Sequence, residues 1–200
     1  MIYLEYLKKK IIFLIILTFF QFSAEAKQPI KFVEDLVNEA TYILSSNEDK
    51  DEKIKKLQII AKNSVDIKGI GLYTLGKYRK TISDEQKIKY NKLFEVYFLK
   101  SFASRLVEYN DAQINIISED IKNEKYTIVY SKLIATTERP EIKIDWRVYT
   151  KDQNKPLIRD LIIEGLSLAR TQKEEFNSVI QSANGDINAL FINLETFISK

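Results

Sequence analysis

The chain has 200 residues, with 31 basic and 28 acidic side chains, and it contains neither histidine nor cysteine. Their absence excludes imidazole bases, thiol nucleophiles, disulfides, the usual zinc ligand sets and a Ser-His-Asp triad. Because the charges nearly balance, there is no strong net attraction toward nucleic acid, and we expect no nucleic-acid partner.

The first 26 residues have the three-part layout of a secretory signal peptide. A basic patch at 8–10 precedes an apolar run at 11–20, and Ala24-Glu25-Ala26 matches an A-x-A cleavage site. An uncleaved membrane anchor is the alternative, but a spanning helix needs about 20 apolar residues and this run is shorter. The sequence therefore predicts a signal peptide over 1–26, cleaved after Ala26, and one exported domain over 27–200.

Helical periodicity organises the chain up to about residue 109. Pro29 is a suitable first helical residue, and Ser83 with Gln86 matches a capping box, so these positions should begin a first helix and a long helix. The glycine-containing stretch 65–80 is expected to form short helical turns, because its leucine and tyrosine side chains need burial. The helices predicted in this part are 29–45, 48–63 and 84–109.

From residue 111 the apolar pattern changes to a period of two. The clearest case is "EIKIDWRVYT", in which apolar and polar residues alternate as in a strand with one covered face. Short connections between such runs favour a four-stranded antiparallel meander, followed by two helices. The predicted strands lie within 112–118, 125–136, 141–150 and 156–165, and the helices at 167–183 and 187–199. The expected fold class is α+β, a curved four-stranded antiparallel sheet packed against helices.

The long helix carries an aromatic stripe. Five rings in the stretch "KYNKLFEVYFLKSF" are spaced by three or four residues, which places them on one helical face: Tyr90, Phe94, Tyr97, Phe98 and Phe102. Ordinary core packing explains such a stripe in most proteins. A void between the rings and the sheet, able to hold an apolar ligand, is the alternative. The residues alone leave both interpretations open.

A small-molecule enzyme is another function that the residues allow. A buried aspartate near a tyrosine can transfer protons on a bound ring, and the candidates are Asp145, Asp160, Glu164 and Tyr130. Asp145 should point outward if Trp146 points inward. We expect Asp160 and Glu164 to bond backbone groups at the strand end and the helix start instead. An exported structural protein with a filled core is a third possibility.

An ordered set of short motifs carries a resemblance. It comprises Asp66, "LGKY" at 75–78, "SDEQ" at 83–86, "IDWRV" at 144–148, "DLIIEGLSL" at 160–168 and Gly185-Asp186. With this spacing the chain resembles the periplasmic phospholipid carriers of the Mla system, the MlaC-like or toluene-tolerance family. Pro156 and Arg159 depart from the pattern, because the family often has Trp and Tyr near those positions.

The resemblance implies an NTF2-like cone with a deep apolar pocket for the acyl chains of a phospholipid, which is cargo rather than a cofactor. Carriers of this kind are not enzymes, and their partners are an outer-membrane lipoprotein complex and an inner-membrane ABC transporter complex. On the helical side we expect the pocket to be lined by Leu75, Tyr78, Phe94, Phe98 and Phe102. On the sheet side we expect Val129, Leu133, Ile144, Trp146 and Ile163, with Leu166 bordering the opening.

Overall fold

A computed structural model of the protein describes residues 28–109, 112–137, 139–152 and 154–200, so the predicted signal peptide lies outside the described residues. The helices are α1 (Pro29–Ser45), α2 (Lys50–Ser64), α3 (Ile67–Thr74), α4 (Asp84–Leu106), α5 (Leu168–Ser182) and α6 (Ile187–Ser199), and a 3₁₀ turn (Gly76–Lys80) precedes α4. The strands are β1 (Ile114–Asn123), β2 (Tyr126–Leu133), β3 (Ile142–Tyr149), β4 (Leu157–Ile163) and β5 (Leu166–Ser167). In the part of the chain that the structure describes, none of the helices has the length and apolarity needed to cross a membrane.

Side-chain caps mark the starts of α3 and α4. The Ser83 hydroxyl accepts a hydrogen bond from the Gln86 backbone N–H at 3.1 Å, and the Gln86 side chain accepts from the Ser83 N–H at 3.0 Å. This reciprocal pair confirms the predicted capping box. Asp66 caps α3 by accepting from the Gly69 N–H at 2.9 Å. Because a good cap contributes about 1 kcal/mol, these residues fix the entry to α3 and α4.

The sheet has five antiparallel strands in the order β1-β2-β3-β4-β5, so the prediction of four strands was wrong. The fifth strand has two residues, and it pairs with β4 across a tight turn in which Glu164 and Gly165 have φ angles of 49° and 82°. A strand this short shows no alternating pattern, which is why the sequence did not reveal it. The sheet is open, with β1 and β5 at its edges, and the NTF2-like cone stays a prediction.

Two clusters of buried side chains matter for the site. We call the first the helical cluster; it joins α3, α4, α5 and α6 around Tyr90, Phe94 and Phe176. We call the second the sheet cluster; in it Val33 and Val37 of α1 pack on the sheet. A third cluster joins α1 and α2 to the end of α4 through Ile43, Leu44, Leu57, Ile60 and Ala103. Val65, between α2 and α3, packs against both the helical and the sheet clusters and so marks their junction.

Candidate functional site

The aromatic rings of α4 form a continuous row, which confirms that they share one helical face. Ring centroids are 5.7 Å apart for Tyr90 and Phe94, 6.1 Å for Phe94 and Phe98, and 5.7 Å for Phe98 and Phe102. Tyr90 and Phe94 are fully buried, whereas Phe98 and Phe102 are only half-buried. The row therefore begins as core and becomes accessible toward the end of α4.

The buried end of the row is tightly fixed by α3. The Tyr90 hydroxyl lies 2.8 Å from Thr74 Oγ1 and donates to the Gly71 carbonyl at 3.2 Å. Burial raises the pKa of the Tyr90 hydroxyl, although the hydrogen bond with Thr74 acts in the opposite direction. A Cβ atom on Gly71 would lie 2.8 Å from the Phe94 ring, so only glycine lets α3 approach this closely. This end of the row is a rigid platform.

The pocket residues predicted on the helical side lie close together. Leu75, Tyr78, Phe94 and Phe98 all belong to the helical cluster or pack against it, and Phe102 stacks on Phe98. Leu75 and Phe94 are almost fully buried, and the Tyr78 hydroxyl accepts a hydrogen bond from the side-chain amide of Gln181. Of this set, Tyr78, Phe98 and Phe102 are partly accessible, and the two phenylalanines provide the wholly apolar part of that surface.

The pocket residues predicted on the sheet side share one face of the sheet. Cross-strand partners place Val129 opposite Trp146, and Ile144 opposite Ile163, which in turn pairs with Leu166; the alternation of strand side chains puts Leu133 on the same face. Burial decreases across this face, from fully buried Val129 to Leu166, which is 68% exposed. The accessible part of the face therefore lies toward the β4–β5 edge.

Trp146 is held in place by a polar contact within this apolar face. Its indole Nε1–H donates to Ser131 Oγ at 2.8 Å, and that hydroxyl donates to the Ile144 carbonyl at 2.9 Å. Ser131 is buried, and its two hydrogen bonds satisfy a hydroxyl group that would otherwise be unpaired within the apolar face. Trp146 packs with the sheet cluster, which places it beneath α1.

The structure does not join the two predicted sides into one buried cluster; they meet at Val65. An open hollow of about 520 Å³ lies there, between α4 and the start of β4, and an adjoining depression of about 150 Å³ reaches Phe94. We call the two together the seam hollow. Its lining residues are Lys62, Asn63, Val65, Asp66, Ile67, Lys68, Asn91, Lys92, Phe94, Glu95, Lys155 and Leu157.

Most residues of the seam hollow carry no recognisable signal in the sequence. Its lining comes from four separate segments: the end of α2, the start of α3, the middle of α4 and the approach to β4. No local pattern connects these segments, and they come together only through tertiary packing. Asp66 in the motif set and Phe94 in the aromatic row were the available signals.

Arg159, which departs from the family pattern, forms hydrogen bonds beside the seam hollow. Its Nε donates to Asp66 at 2.5 Å, its Nη1 donates to the Tyr126 hydroxyl at 2.7 Å, and its guanidinium lies 3.6 Å from the centroid of the Tyr149 ring. Burial alone would lower the pKa of Arg159, but its hydrogen bonds to Tyr126 and Asp66 outweigh burial and raise it. Arg159 thus ties β4 to the cap of α3.

The candidate catalytic carboxylates have structural partners. Asp160, which is buried, accepts from Ser167 Oγ at 2.6 Å and from the Ala169 N–H at 3.0 Å, and Glu164 accepts from the Lys143 N–H at 2.5 Å. Asp160 thus bonds a backbone group at the start of α5, as expected, whereas Glu164, just after β4, bonds the backbone of β3. Among the described residues, no cluster of three or more acidic side chains is arranged to hold a metal ion.

Asp145 lies on the opposite face of β3 from Trp146, because neighbouring strand residues alternate. Burial raises the pKa of the Asp145 carboxyl; Lys143 opposes that shift, and Glu164 adds to it. The carboxylate is therefore separated by the sheet from the face that carries the predicted pocket residues.

Comparisons with known proteins agree with the resemblance. The family model described as "MlaC protein" matches residues 34–196. A solved structure of a phospholipid-binding protein from Ralstonia solanacearum, in complex with a phospholipid, superposes with a TM-score of 0.69 at 18% sequence identity, covering 84% of this chain and 95% of that chain. At that identity the superposition shows a shared fold. With most of its described length matched by the family model, the chain belongs to the MlaC family.

Proposed function

We propose that this protein is a soluble periplasmic carrier that shields the acyl chains of a phospholipid while it crosses an aqueous space. The observation that carries the proposal is the MlaC family match over residues 34–196. The Ralstonia protein of the same fold was solved with a phospholipid bound, which supports the ligand class. The family indicates a binding or transport protein rather than an enzyme, and the hydrogen-bonded Asp160 offers no free base for the enzymatic alternative.

The physical requirement for such a carrier is an apolar surface that the acyl chains can reach. Each exposed methylene costs about 0.8 kcal/mol in water, so a lipid with two long chains cannot cross unshielded. Phe98 and Phe102 on α4, with Ile144, Trp146 and Ile163 on the sheet, provide half-buried apolar side chains on two elements. Their contacts are non-directional, which would permit both binding and release of varied lipids.

The proposed site for the acyl chains lies between α4 and the sheet. Helical and sheet clusters are separate packing units there, and Val65 links them at the seam hollow. In this proposal the chains separate the two clusters, with the fully buried Leu75, Phe94 and Val129 as the walls behind the half-buried residues. Leu166, at the exposed β5 edge, borders the apolar face.

The cellular setting is proposed from the family and the N-terminal sequence. A signal peptide over 1–26 would deliver the domain to the periplasm. There it would exchange lipid with an outer-membrane lipoprotein complex and an inner-membrane ABC transporter complex, which are the partners that the MlaC family implies. Phospholipid is cargo in this scheme, and no cofactor takes part.

Native mass spectrometry of the protein purified from the periplasm of a bacterial host tests the carrier proposal. We expect wild-type protein to carry co-purified phospholipid and Phe98→Glu to lose most of it, because a buried carboxylate is costly next to acyl chains. Ile88→Glu is the matched control, since Ile88 is on the same helix but is 59% exposed. Lipid-free wild-type protein, or equal occupancy in both variants, would contradict the proposal.

A further inference from the structure

The rim of the seam hollow is rich in lysine. Lys68 of α3, Lys92 of α4 and Lys155 before β4 line it, and Lys62 of α2 is a fourth. Within the described part of the chain, no carboxylate lies within ion-pair distance of the amino groups of Lys68, Lys92 or Lys155. Three ammonium groups from three different elements therefore border one concavity, and none of the three forms an ion pair with a described carboxylate.

The acidic residues of the hollow are already neutralised. Lys62 Nζ lies 2.9 Å from Glu95 Oε1, and Arg159 Nε lies 2.5 Å from Asp66 Oδ2. Asp66 also accepts the capping bond of α3 from the Gly69 N–H. Once these pairs are taken into account, the charge that remains in the hollow is positive, and an anion is the ligand that would complement it.

The floor of the hollow is apolar. Val65, Ile67, Phe94 and Leu157 line it beneath the lysines, and Phe94 belongs to the aromatic row that leads along α4 to Phe98. The side-chain amides of Asn63 and Asn91 add neutral hydrogen-bond donors at the rim. An apolar floor under a cationic rim fits an amphiphile whose polar end is a phosphate.

The dimensions of the sheet agree with this orientation of an amphiphile. Leu157 of the hollow is the first residue of β4, and Leu166 follows the last residue of that strand. The two side chains lie on opposite faces of the sheet, but the seven residues of β4 span roughly 20 Å at about 3.3 Å per residue. One leaflet of a bilayer's hydrocarbon core is about 15 Å thick, which is half of the ~30 Å core. A phosphate at the seam hollow would thus leave the length of β4 for an acyl chain.

We propose that the seam hollow binds the phosphate of a phospholipid headgroup through Lys68, Lys92 and Lys155, and that this rim makes the carrier prefer lipids with a net negative charge. The inference rests on the proposed carrier function and adds headgroup selection to it. A zwitterionic headgroup brings its own ammonium group next to the lysines, where like charges repel. A headgroup such as phosphatidylglycerol brings only the phosphate charge.

The test loads the purified protein from vesicles of equimolar phosphatidylglycerol and phosphatidylethanolamine, then measures the ratio and total amount of bound lipid by mass spectrometry. We expect phosphatidylglycerol to be enriched on the wild type, and the enrichment to fall at least about fivefold in the K68Q/K92Q/K155Q variant, which is roughly the value of one lysine near an anionic lipid. The K50Q/K80Q/K143Q variant, with the same net charge and all three changes at exposed positions outside the hollow, should keep the wild-type ratio.

A second variant should change the phosphatidylglycerol enrichment in the opposite direction. Glu95→Gln removes the carboxylate that pairs with Lys62, so the enrichment should rise above wild type, and higher salt should reduce it in both proteins. Wild-type protein that binds lipid with no headgroup preference, or equal ratios in the two triple variants, would overturn the inference and leave the carrier proposal standing. Wild-type protein that takes up no lipid would instead count against the carrier proposal.

Competition with inorganic phosphate distinguishes a lipid headgroup from free phosphate as the ligand of the seam hollow. If the hollow serves a lipid headgroup, free phosphate should displace little phosphatidylglycerol, because it lacks the apolar contacts with the floor. Binding of inorganic phosphate by the lipid-free protein that is lost in K68Q/K92Q/K155Q, with no change in lipid ratio, would mean that the hollow is a free-phosphate site, and the headgroup assignment would be wrong.

Discussion

Tyr90 shows how one residue supports the rigid end of the aromatic row. Its ring contacts Phe94, and its hydroxyl is hydrogen-bonded to Thr74 and to the Gly71 carbonyl, so the buried polar atom keeps partners in the core. Thr74 Oγ1 also lies 2.8 Å from the Gly71 carbonyl, so the Thr74 hydroxyl can donate to that oxygen if the Tyr90 hydroxyl is removed. A change in stability after removal of the Tyr90 hydroxyl therefore reflects the burial and hydrogen bonds of that hydroxyl alone.

We predict that the protein loses stability at alkaline pH because of Tyr90. Burial raises the folded-state pKa of this phenol above its unfolded value of 10.0, so its contribution is fully present below about pH 10 and is lost as the pH rises above it. The free energy of unfolding should then fall with a slope that approaches 1.4 kcal/mol per pH unit for one such group. Urea denaturation between pH 8 and 11 measures it.

Tyr90→Phe is the control for the alkaline loss. It should cost about 1 kcal/mol at neutral pH for the lost hydrogen bond but should flatten the slope above pH 10. Burial also raises the pKa of Tyr97, so Tyr97→Phe should remove a further, smaller part of the slope. An unchanged slope in both variants would show that other groups cause the alkaline loss.

At the scale of elements, the sequence predicted the helices best where a residue marks the helix start. The bounds of α1 and α6 agree with the prediction, since Pro29 and Asp186 stand at their N-termini and an apolar stripe runs through each helix. The capping box located α4, whose end at Leu106 falls three residues before the predicted end. These signals lie within or next to each helix, so the helix bounds can be predicted without knowledge of the tertiary structure.

The arrangement of elements around the site could not be predicted in the same way. Local periodicity shows that α1 and α4 each have an apolar face but cannot show which face meets the sheet. In the structure α1 packs on Val129 and Val148, while the rings of α4 pack largely among other helices. The seam hollow and the Arg159–Asp66 pair depend on contacts between residues about 90 positions apart, for which one sequence gives no signal.

The junction between β4 and α5 leads to a prediction about Asp160. We expect Asp160→Asn to destabilise the protein by about 1–3 kcal/mol. Ser167 and Ala169 donate to different carboxylate oxygens, and the amide replaces one of these acceptors with an NH₂ group. The neutral side chain also no longer neutralises Arg147, whose Nη1 lies 3.5 Å from Asp160 Oδ2. Chemical denaturation measures this change. Ser167→Ala removes one of these bonds and should cost less.

The same Asp160 variant distinguishes a structural role from a role in ligand binding. If Asp160 only connects β4 to α5, lipid occupancy per folded protein should stay close to wild type in Asp160→Asn, since the carboxylate lies on the opposite face of the sheet from Trp146. Loss of lipid binding in a variant of unchanged stability would show that Asp160 contacts the ligand and would contradict this assignment.

At the scale of the whole molecule, lipid binding between the helical and sheet clusters requires the two to move apart. Each cluster has its own buried core, and Val65 links them, so a change in their separation need not disrupt either core. Contacts within each cluster should therefore keep their distances when lipid binds, whereas distances across the seam should increase.

The absence of cysteine from the chain allows a direct measurement of this separation. Spin labels at Val96→Cys on α4 and Lys143→Cys on β3, both exposed positions, should report a longer distance after loading with phospholipid. The control pair, Val96→Cys with Ile192→Cys on α6, joins two helices that both contribute to the helical cluster and should show no change. If the α4–β3 distance stays constant in protein shown by mass spectrometry to carry lipid, the acyl chains do not lie between these two clusters, and the proposed location of the pocket is wrong.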